Sequence, residues 1–203
     1  IGTRSIVGTV GYRTERNHFT VIAQVSKEHE TRAVVDGQIH DIQAVSRTIS
    51  EIKKQLEEMI DQPLTDVCIA AAGRVLKTKH ITVENEFAVE TKVTKEHVRS
   101  LDLLGIEKAY EEIGEDAARE QRQFYCVGYS IIGYLLNGYT MSTIEMHKAN
   151  RIGVELIATF LPDEVVDGLY ASVEAAGLKV ANLTLEPIAA IQVAIPENFR
   201  LLN

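Results

Sequence analysis

The 203-residue chain has no tryptophan, only two cysteines and little positive charge, with 21 lysines and arginines against 29 acids for a formal charge of −8. Each shortage excludes something. A nucleic-acid binder needs a positive field to displace phosphate counterions, and the short basic clusters "RTERNH" (13–18) and "KTKH" (77–80) are too thin to provide one; they read as solvated hairpin or linker surface. Cys68 and Cys126 lie in separate apolar runs, where cysteine is expected to act as a small buried hydrophobe, and this usage fits a reducing cytoplasm. No apolar run approaches the roughly 20 residues that cross a bilayer, and no charged-then-apolar leader opens the chain, so this segment is expected to be soluble. The six histidines (18, 29, 40, 80, 97, 147) are scattered without metal-ligand spacing, so no metal ligands are assigned and a zinc site is not expected. The phosphate fingerprints G-x-G-x-x-G and G-x-x-x-x-G-K-[ST] are absent, as is the nucleophile motif G-x-S-x-G.

What is present is 45% hydrophobic residues, enough for a substantial core in one large domain or two small ones. "SIVGTVGYR", "FTVIAQVSKE" and "TRAVVDGQIH" follow one another with polar breaks, which predicts three strands in a meander. Ile42, Val45, Ile49, Ile52, Leu56 and Ile60 then recur at three- and four-residue steps behind Asp41, the pattern of a capped amphipathic helix. "DVCIAAAG" reads as a buried strand and "HITVENEFAVETKV" as strand material. Thr94 opens a helix whose inner face is expected from Val98, Leu101, Leu104 and Tyr110, with "GEDAAREQRQ" as a charged loop after it. "FYCVGYSIIGYLL" and "NRIGVELIATFL" predict two more strands. A helix follows over "DEVVDGLYASVEAAGLK", with Val166, Leu169, Tyr170 and Val173 inward and Gly177 as its C-terminal cap. The coarse order is β-β-β-α-β, an inserted β-α-β-β unit, then α-β-α, an α/β layout with an insertion.

Two segments carry chemistry. In "IGTRS", Gly2 and the hydroxyls of Thr3 and Ser5 flank Arg4 at a tight turn, and freed backbone N–H groups with hydroxyls beside them can wrap phosphate oxygens; a Gly-Thr turn is also often no more than a turn. In "VANLTLEPIAAIQ", Glu186 stands just before Pro187 where a strand passes into a helix. Pro187 can open that helix and Glu186 favour its positive end, but glutamate is not a preferred cap, and a carboxylate at a strand end could instead orient a water for attack on a phosphoryl group.

Taken in order, "IGTRSIVGTVG", "VVDGQIHDIQAVSRTISEIKKQLEE", "VCIAAAGR" and "GVELIATFLPDEVVDGLYASVEAAGLKVANLTLEPIAA" resemble the actin-like ATPase superfamily. The likeness runs most closely to FtsA-type bacterial cell-division proteins, with PilM-like pilus-assembly proteins as close relatives. It implies an RNase H-like actin/Hsp70-type core subdomain IA from residues 1–73 plus 159–203, with an inserted strand-helix-strand-strand (1C/SHS2-like) subdomain at 74–158. Gly2, Thr3, Arg4 and Ser5 match the phosphate-1 turn, whose preceding aspartate would fall one place before Ile1, and Glu186 matches the family glutamate that positions attacking water. The implied cofactors are ATP and Mg2+ bound between two domains. Since the family's phosphate-2 motif is expected after "PENFRLLN", the sequence reads as an N-terminal part that binds ATP weakly and is inactive alone, while its parent is expected to be at most a slow ATPase. The implied function is to polymerise and to link a tubulin-like division protein of FtsZ type to the membrane. Other divisome or assembly proteins are expected on 74–158, through "NEFAVETKV" and "TMSTIEMHKANR". No nucleic acid is expected, and membrane contact would come only from a C-terminal amphipathic helix outside this sequence, giving a cytoplasmic protein peripheral on the inner membrane face. The alternative is a non-hydrolysing nucleotide-binding scaffold of PilM type in pilus or secretion assembly; a metabolic kinase ranks third.

Overall fold

The computed structural model describes residues 1–15, 18–71 and 76–195, with the side chain of Gln192 left aside. The described chain divides into two compact units, Ile1–Val75 with Glu164–Ile195, and Leu76–Asp163.

In the first unit the β-branched runs Ser5–Arg13 (β1) and Phe19–Glu28 (β2) pair antiparallel, with a bulge at Val10/Gly11. The expected third meander strand is not there. Instead "VVDGQI" folds on itself as a hairpin of two-residue strands, Val34–Val35 (β3) and Gln38–Ile39 (β4). The reason is local: Asp36 and Gly37 both take positive φ (51° and 84°), the combination a two-residue hairpin turn demands and an Asp-Gly pair supplies. Helix α1 (Ile42–Ile60) starts where expected, with the Asp41 carboxylate accepting from the Ala44 N–H at 2.9 Å. Its buried stripe is Val45, Ile49, Ile52 and Leu56; Ile42 and Ile60, at the two ends, stay partly in solvent. Asp66–Ala71 (β5) pairs in parallel with Lys179–Leu185 (β10). Helix α3 (Asp163–Ala175), just before β10 in the sequence, buries Val165, Leu169 and Val173, then closes with Gly177 at φ 73° while the Leu178 N–H reaches back to the Val173 carbonyl. Val166, assigned to its inner face, is only half-buried. The last described element is α4 (Glu186–Ala194). Cys68 is exposed rather than buried, and Cys126 is half-buried.

The second unit is a single antiparallel sheet of four strands in the order β6-β9-β7-β8, with one long helix. Its strands are Lys77–Lys92 (β6), Phe124–Leu136 (β7), Tyr139–Met141 (β8) and Lys148–Pro162 (β9), and its helix is α2 (Lys95–Glu120). β8 is too short to show in a hydrophobicity pattern. β9 lies between β6 and β7 and sends Ile152, Val154, Leu156, Ala158 and Phe160, all essentially inaccessible, to one face. α2 meets the sheet along Leu101, Gly105, Ala109 and Ile113, whereas Leu104 and Tyr110, assigned inward from the sequence, remain substantially exposed. Small residues win that face because the sheet already provides the large ones: a Cβ on Gly105 would stand 2.6 Å from Leu156 Cδ2. Tyr110 keeps an edge-on ring contact with Phe160 at 5.3 Å. The "GEDAAREQRQ" segment is helical to Glu120 rather than a loop, because its charges find partners: Asp116 pairs with Lys79 at 2.9 Å and with Arg119 at 3.1 Å, and Lys77 pairs with Glu120.

The sequence-drawn boundary at 158/159 falls inside β9, which stays paired with β7 to Pro162. The boundary at 73/74, with Ala72, Gly73 and Arg74 of "VCIAAAGR", lies outside the described residues, as do Arg16 and Asn17 of "RTERNH" and the whole of "PENFRLLN".

Candidate functional site

Parallel strands β5 and β10 finish side by side, with Leu185 in register with Ala71. In α/β sheets the carboxyl ends of parallel strands are where loops and helix starts converge on a ligand. Here α4 begins at the very next residue, Glu186, with Pro187 second in the helix and Leu185 as the capping position. Proline suits a first turn because the N–H it lacks would have no intrahelical acceptor. No side chain caps this helix. Glu186 therefore does not act as an N-cap: it is an exposed carboxylate within the first turn, at the positive end of the helix dipole.

The "IGTRS" turn comes to the same edge. The Gly2 N–H donates to the Ser5 carbonyl at 3.0 Å, leaving Thr3 and Arg4 as a two-residue exposed loop. The Ile1 amino group donates to the Ala70 carbonyl at 3.4 Å, one residue from the end of β5. The Glu186 carboxylate lies near the same Ile1 nitrogen. Gly2–Ser5 and Glu186, almost the full length of the sequence apart, thus share one edge of the first unit.

His29 is a member of this site that sequence reasoning missed. Its Nε2 is 3.0 Å from the Gly2 carbonyl, its N–H donates to the Arg4 carbonyl at 3.0 Å, and its Nδ1 is buried without a hydrogen-bond partner among the described residues. A lone histidine 27 positions from Gly2 carries no motif; only the pairing of β1 with β2 brings it to the turn. The Arg4 guanidinium is held by Glu28 at 3.2 Å, an exposed pair of the kind that gives little stability and yields readily to a competing anion. Beside the turn lies a cleft of about 470 Å³ with Arg4, His29 and Arg32 on its wall, together with the acids Glu28, Glu30 and Asp36. The turn offers its backbone, two hydroxyls and a guanidinium to an anionic group, and the Glu186 carboxylate lies near the Ile1 nitrogen at the same edge. Among the described residues no three His, Cys, Asp or Glu side chains are grouped to hold a metal ion.

In the second unit the two segments singled out as candidate partner surfaces prove to be neighbours. Thr91 and Lys92 stand opposite Ala149 and Lys148, and the Val93 carbonyl accepts from the Met146 N–H at 2.9 Å while the Val93 N–H donates to the His147 carbonyl at 2.8 Å. Within these two segments Val89 and Met146 are 72% and 64% exposed.

Comparison with known proteins finds no matching family model, and no curated protein matches the sequence. Among solved structures, a chain of a "PilM-PilN type IV pilus biogenesis complex" shares the fold with a TM-score of 0.60 at 14% identity, over 95% of this chain and 47% of that one. The chain thus spans about half the length of its structural relative. The mixed α/β fold of PilM type is the property the two have in common.

Proposed function

We propose that this chain is the first part of an actin-fold, nucleotide-binding scaffold of PilM type that recruits a partner protein in pilus or secretion assembly. The observation that carries the reading is a fold likeness extending over 95% of the chain to a member of a PilM-PilN assembly. The convergence of Gly2–Ser5 and Glu186 at the carboxyl edge of β5 and β10 supports it. ATP with Mg2+ would supply the phosphates and the bridging cation. The Thr3 and Ser5 hydroxyls and the loop backbone would meet phosphate oxygens, Arg4 would exchange Glu28 for a phosphate, and Glu186 would be the group to hold a water. Because magnesium usually keeps several waters and takes its remaining ligands from substrate phosphates, a ready-made protein cage is not required. The joined surface at Val89 and Met146 is the candidate partner contact. The reading carries a cytoplasmic location with it.

The test uses the longer parent polypeptide and separates binding from chemistry. Mg-ATP should bind without phosphate release; release that Glu186→Ala slows while leaving affinity unchanged would instead make the parent a slow ATPase with Glu186 in catalysis. Unchanged release at saturating ATP removes Glu186 from catalysis, and failure of the parent to bind nucleotide removes the whole reading. The 203-residue chain itself should bind Mg-ATP no tighter than about millimolar, since half of an interdomain clamp forgoes most of the positioning contacts.

The FtsA-type reading, in which the parent polymerises and ties a tubulin-like division protein to the membrane, draws on the same fold and the same site. It differs in its partner. Saturable binding of a tubulin-like division protein, lost on replacing Val89 and Met146 by Asp, would favour it over the pilus branch.

A further inference from the structure

Both ends of the Thr3–Arg4 loop are tied to one position of the neighbouring strand. His29 follows the last residue of β2 and stands opposite Arg4, one rung beyond the Ser5–Glu28 pair. Its backbone N–H donates to the Arg4 carbonyl at 3.0 Å, and its ring Nε2 lies 3.0 Å from the Gly2 carbonyl. A carbonyl oxygen only accepts, so Nε2 carries the ring proton, and Nδ1, buried without a partner among the described residues, is the bare nitrogen.

These two bonds decide where the adjoining N–H groups point. A trans peptide is planar, with its C=O and N–H on opposite sides. With the Gly2 carbonyl turned to the His29 ring, the Thr3 N–H of the same peptide points away from it; with the Arg4 carbonyl turned to the His29 N–H, the Ser5 N–H does the same. The strand pairing agrees. Antiparallel rungs alternate between residues that exchange hydrogen bonds and residues that do not, so the Arg4–His29 rung leaves Ser5 turned away from Glu28, and the Ser5 carbonyl accepts from Gly2 across the loop. We infer that His29 is the positioning residue of this turn: its Nε2–H, bonded to the Gly2 carbonyl, holds the loop in the conformation that aims the Thr3 and Ser5 N–H groups at an oxyanion.

The ring does what the backbone bonds cannot. The Gly2 N–H belongs to the peptide before Gly2 and the Arg4 carbonyl to the peptide after Arg4, so neither bond fixes the Gly2–Thr3 peptide between them. Glycine leaves that peptide the widest choice of orientation, and the imidazole removes the choice. Donors already turned outward cost no reorganisation when an anion arrives. His29 thus acts through the Thr3 and Ser5 backbone, not by touching the ligand itself. Its service to a phosphate rests on the nucleotide reading given above; the latch on the turn does not.

The test uses the longer parent polypeptide with isotope-labelled histidine. Without nucleotide, NMR of the His29 ring should show a protonated Nε2 and a bare Nδ1; a proton on Nδ1 would overturn the latch. His29→Leu removes the donor and keeps much of the bulk, whereas His29→Gln puts an amide N–H where Nε2 stood. The leucine variant should exchange its Gly2 N–H faster and bind Mg-ATP more weakly, each by about tenfold, the upper range for one lost hydrogen bond, while the glutamine variant stays within about threefold of the unsubstituted chain. Equal losses in both variants, or none in either, would reduce the ring to packing and overturn the inference. If the unsubstituted parent binds no Mg-ATP, the nucleotide reading falls, and the ring tautomer and the Gly2 exchange rates still decide the role of His29.

Discussion

The two units bury their cores in different ways. In the second, β9 is paired on both sides and covered by α2, so Val154, Leu156, Ala158 and Phe160 have no route to water. In the first, three separate strand pairs are held together mainly by helices, and the walls of an apolar groove remain accessible, with Val7 50% exposed and Cys68 exposed. A continuous sheet fixes the side chains of the strands that are paired on both sides. A sheet divided into pairs leaves its apolar residues room to move when one of them is cut back.

The largest expected effect follows from that contrast. Leu156→Ala removes packing from a site that cannot collapse and should destabilise the second unit by about 3–5 kcal/mol, while Ile69→Ala, on a strand bordering the groove, should cost the first unit nearer 2 kcal/mol. Urea titrations read by hydrogen exchange of each unit separately would show the difference, and equal costs would break the comparison. A second pair of substitutions sharpens it inside α2. Gly105→Ala drives a methyl into Leu156 and should cost about 1–3 kcal/mol, whereas Gly114→Ala, with nothing within 4 Å, should gain about 0.8–1 kcal/mol from helix propensity. Thermal midpoints moving in the same direction would show that the α2 contact is not the limiting one.

The smallest effect is electrostatic. The Lys79 hydrogen bond, with help from Lys77 and Arg119, holds the Asp116 carboxyl below its ordinary value of 3.8. A depressed acid binds its proton in the unfolded chain first, so its contribution is complete above 3.8 and disappears as pH falls through the lower folded-state value. Asp116→Asn should therefore lower stability slightly at neutral pH and converge with the unsubstituted chain in strong acid. A constant gap across that range would mean that packing, not charge, anchors the end of α2. On the sheet side of the same helix, Tyr134 donates to Asp102, and burial next to that carboxylate pushes the tyrosine up to about 12, so it stays protonated throughout such a titration.

Most of the element order could be read from periodicity, because the long strands and α1 carry their patterns within single windows. The misreadings have physical causes. The third meander strand failed because the Asp36-Gly37 turn satisfied its backbone locally before it could reach β2. The inner face of α2 was assigned to Leu104 and Tyr110 beside Leu101, although the sheet beneath the middle of the helix is met by the small Gly105 and Ala109. Cys68 sits in an apolar run yet faces an open groove, and burial depends on what lies across from a strand. Of the candidate site, Gly2–Ser5 and Glu186 were named from the sequence, whereas His29 and the Glu28 partner of Arg4 were not.

By itself the sequence determined the local elements: where α1 starts at Asp41, where α2 starts at Thr94, where α3 closes at Gly177, and which strands are apolar enough to be paired. These depend on side chains a few residues apart and on backbone preferences that act within a turn. Only the tertiary structure decided that the ends of β5 and β10 bring Glu186 to the Gly2–Ser5 turn, and that β1 and β5 face each other across a groove with Ile1 at its mouth. Strand pairing joins residues far apart in the chain through hydrogen bonds that are the same for every side chain, so no local pattern encodes which edges meet.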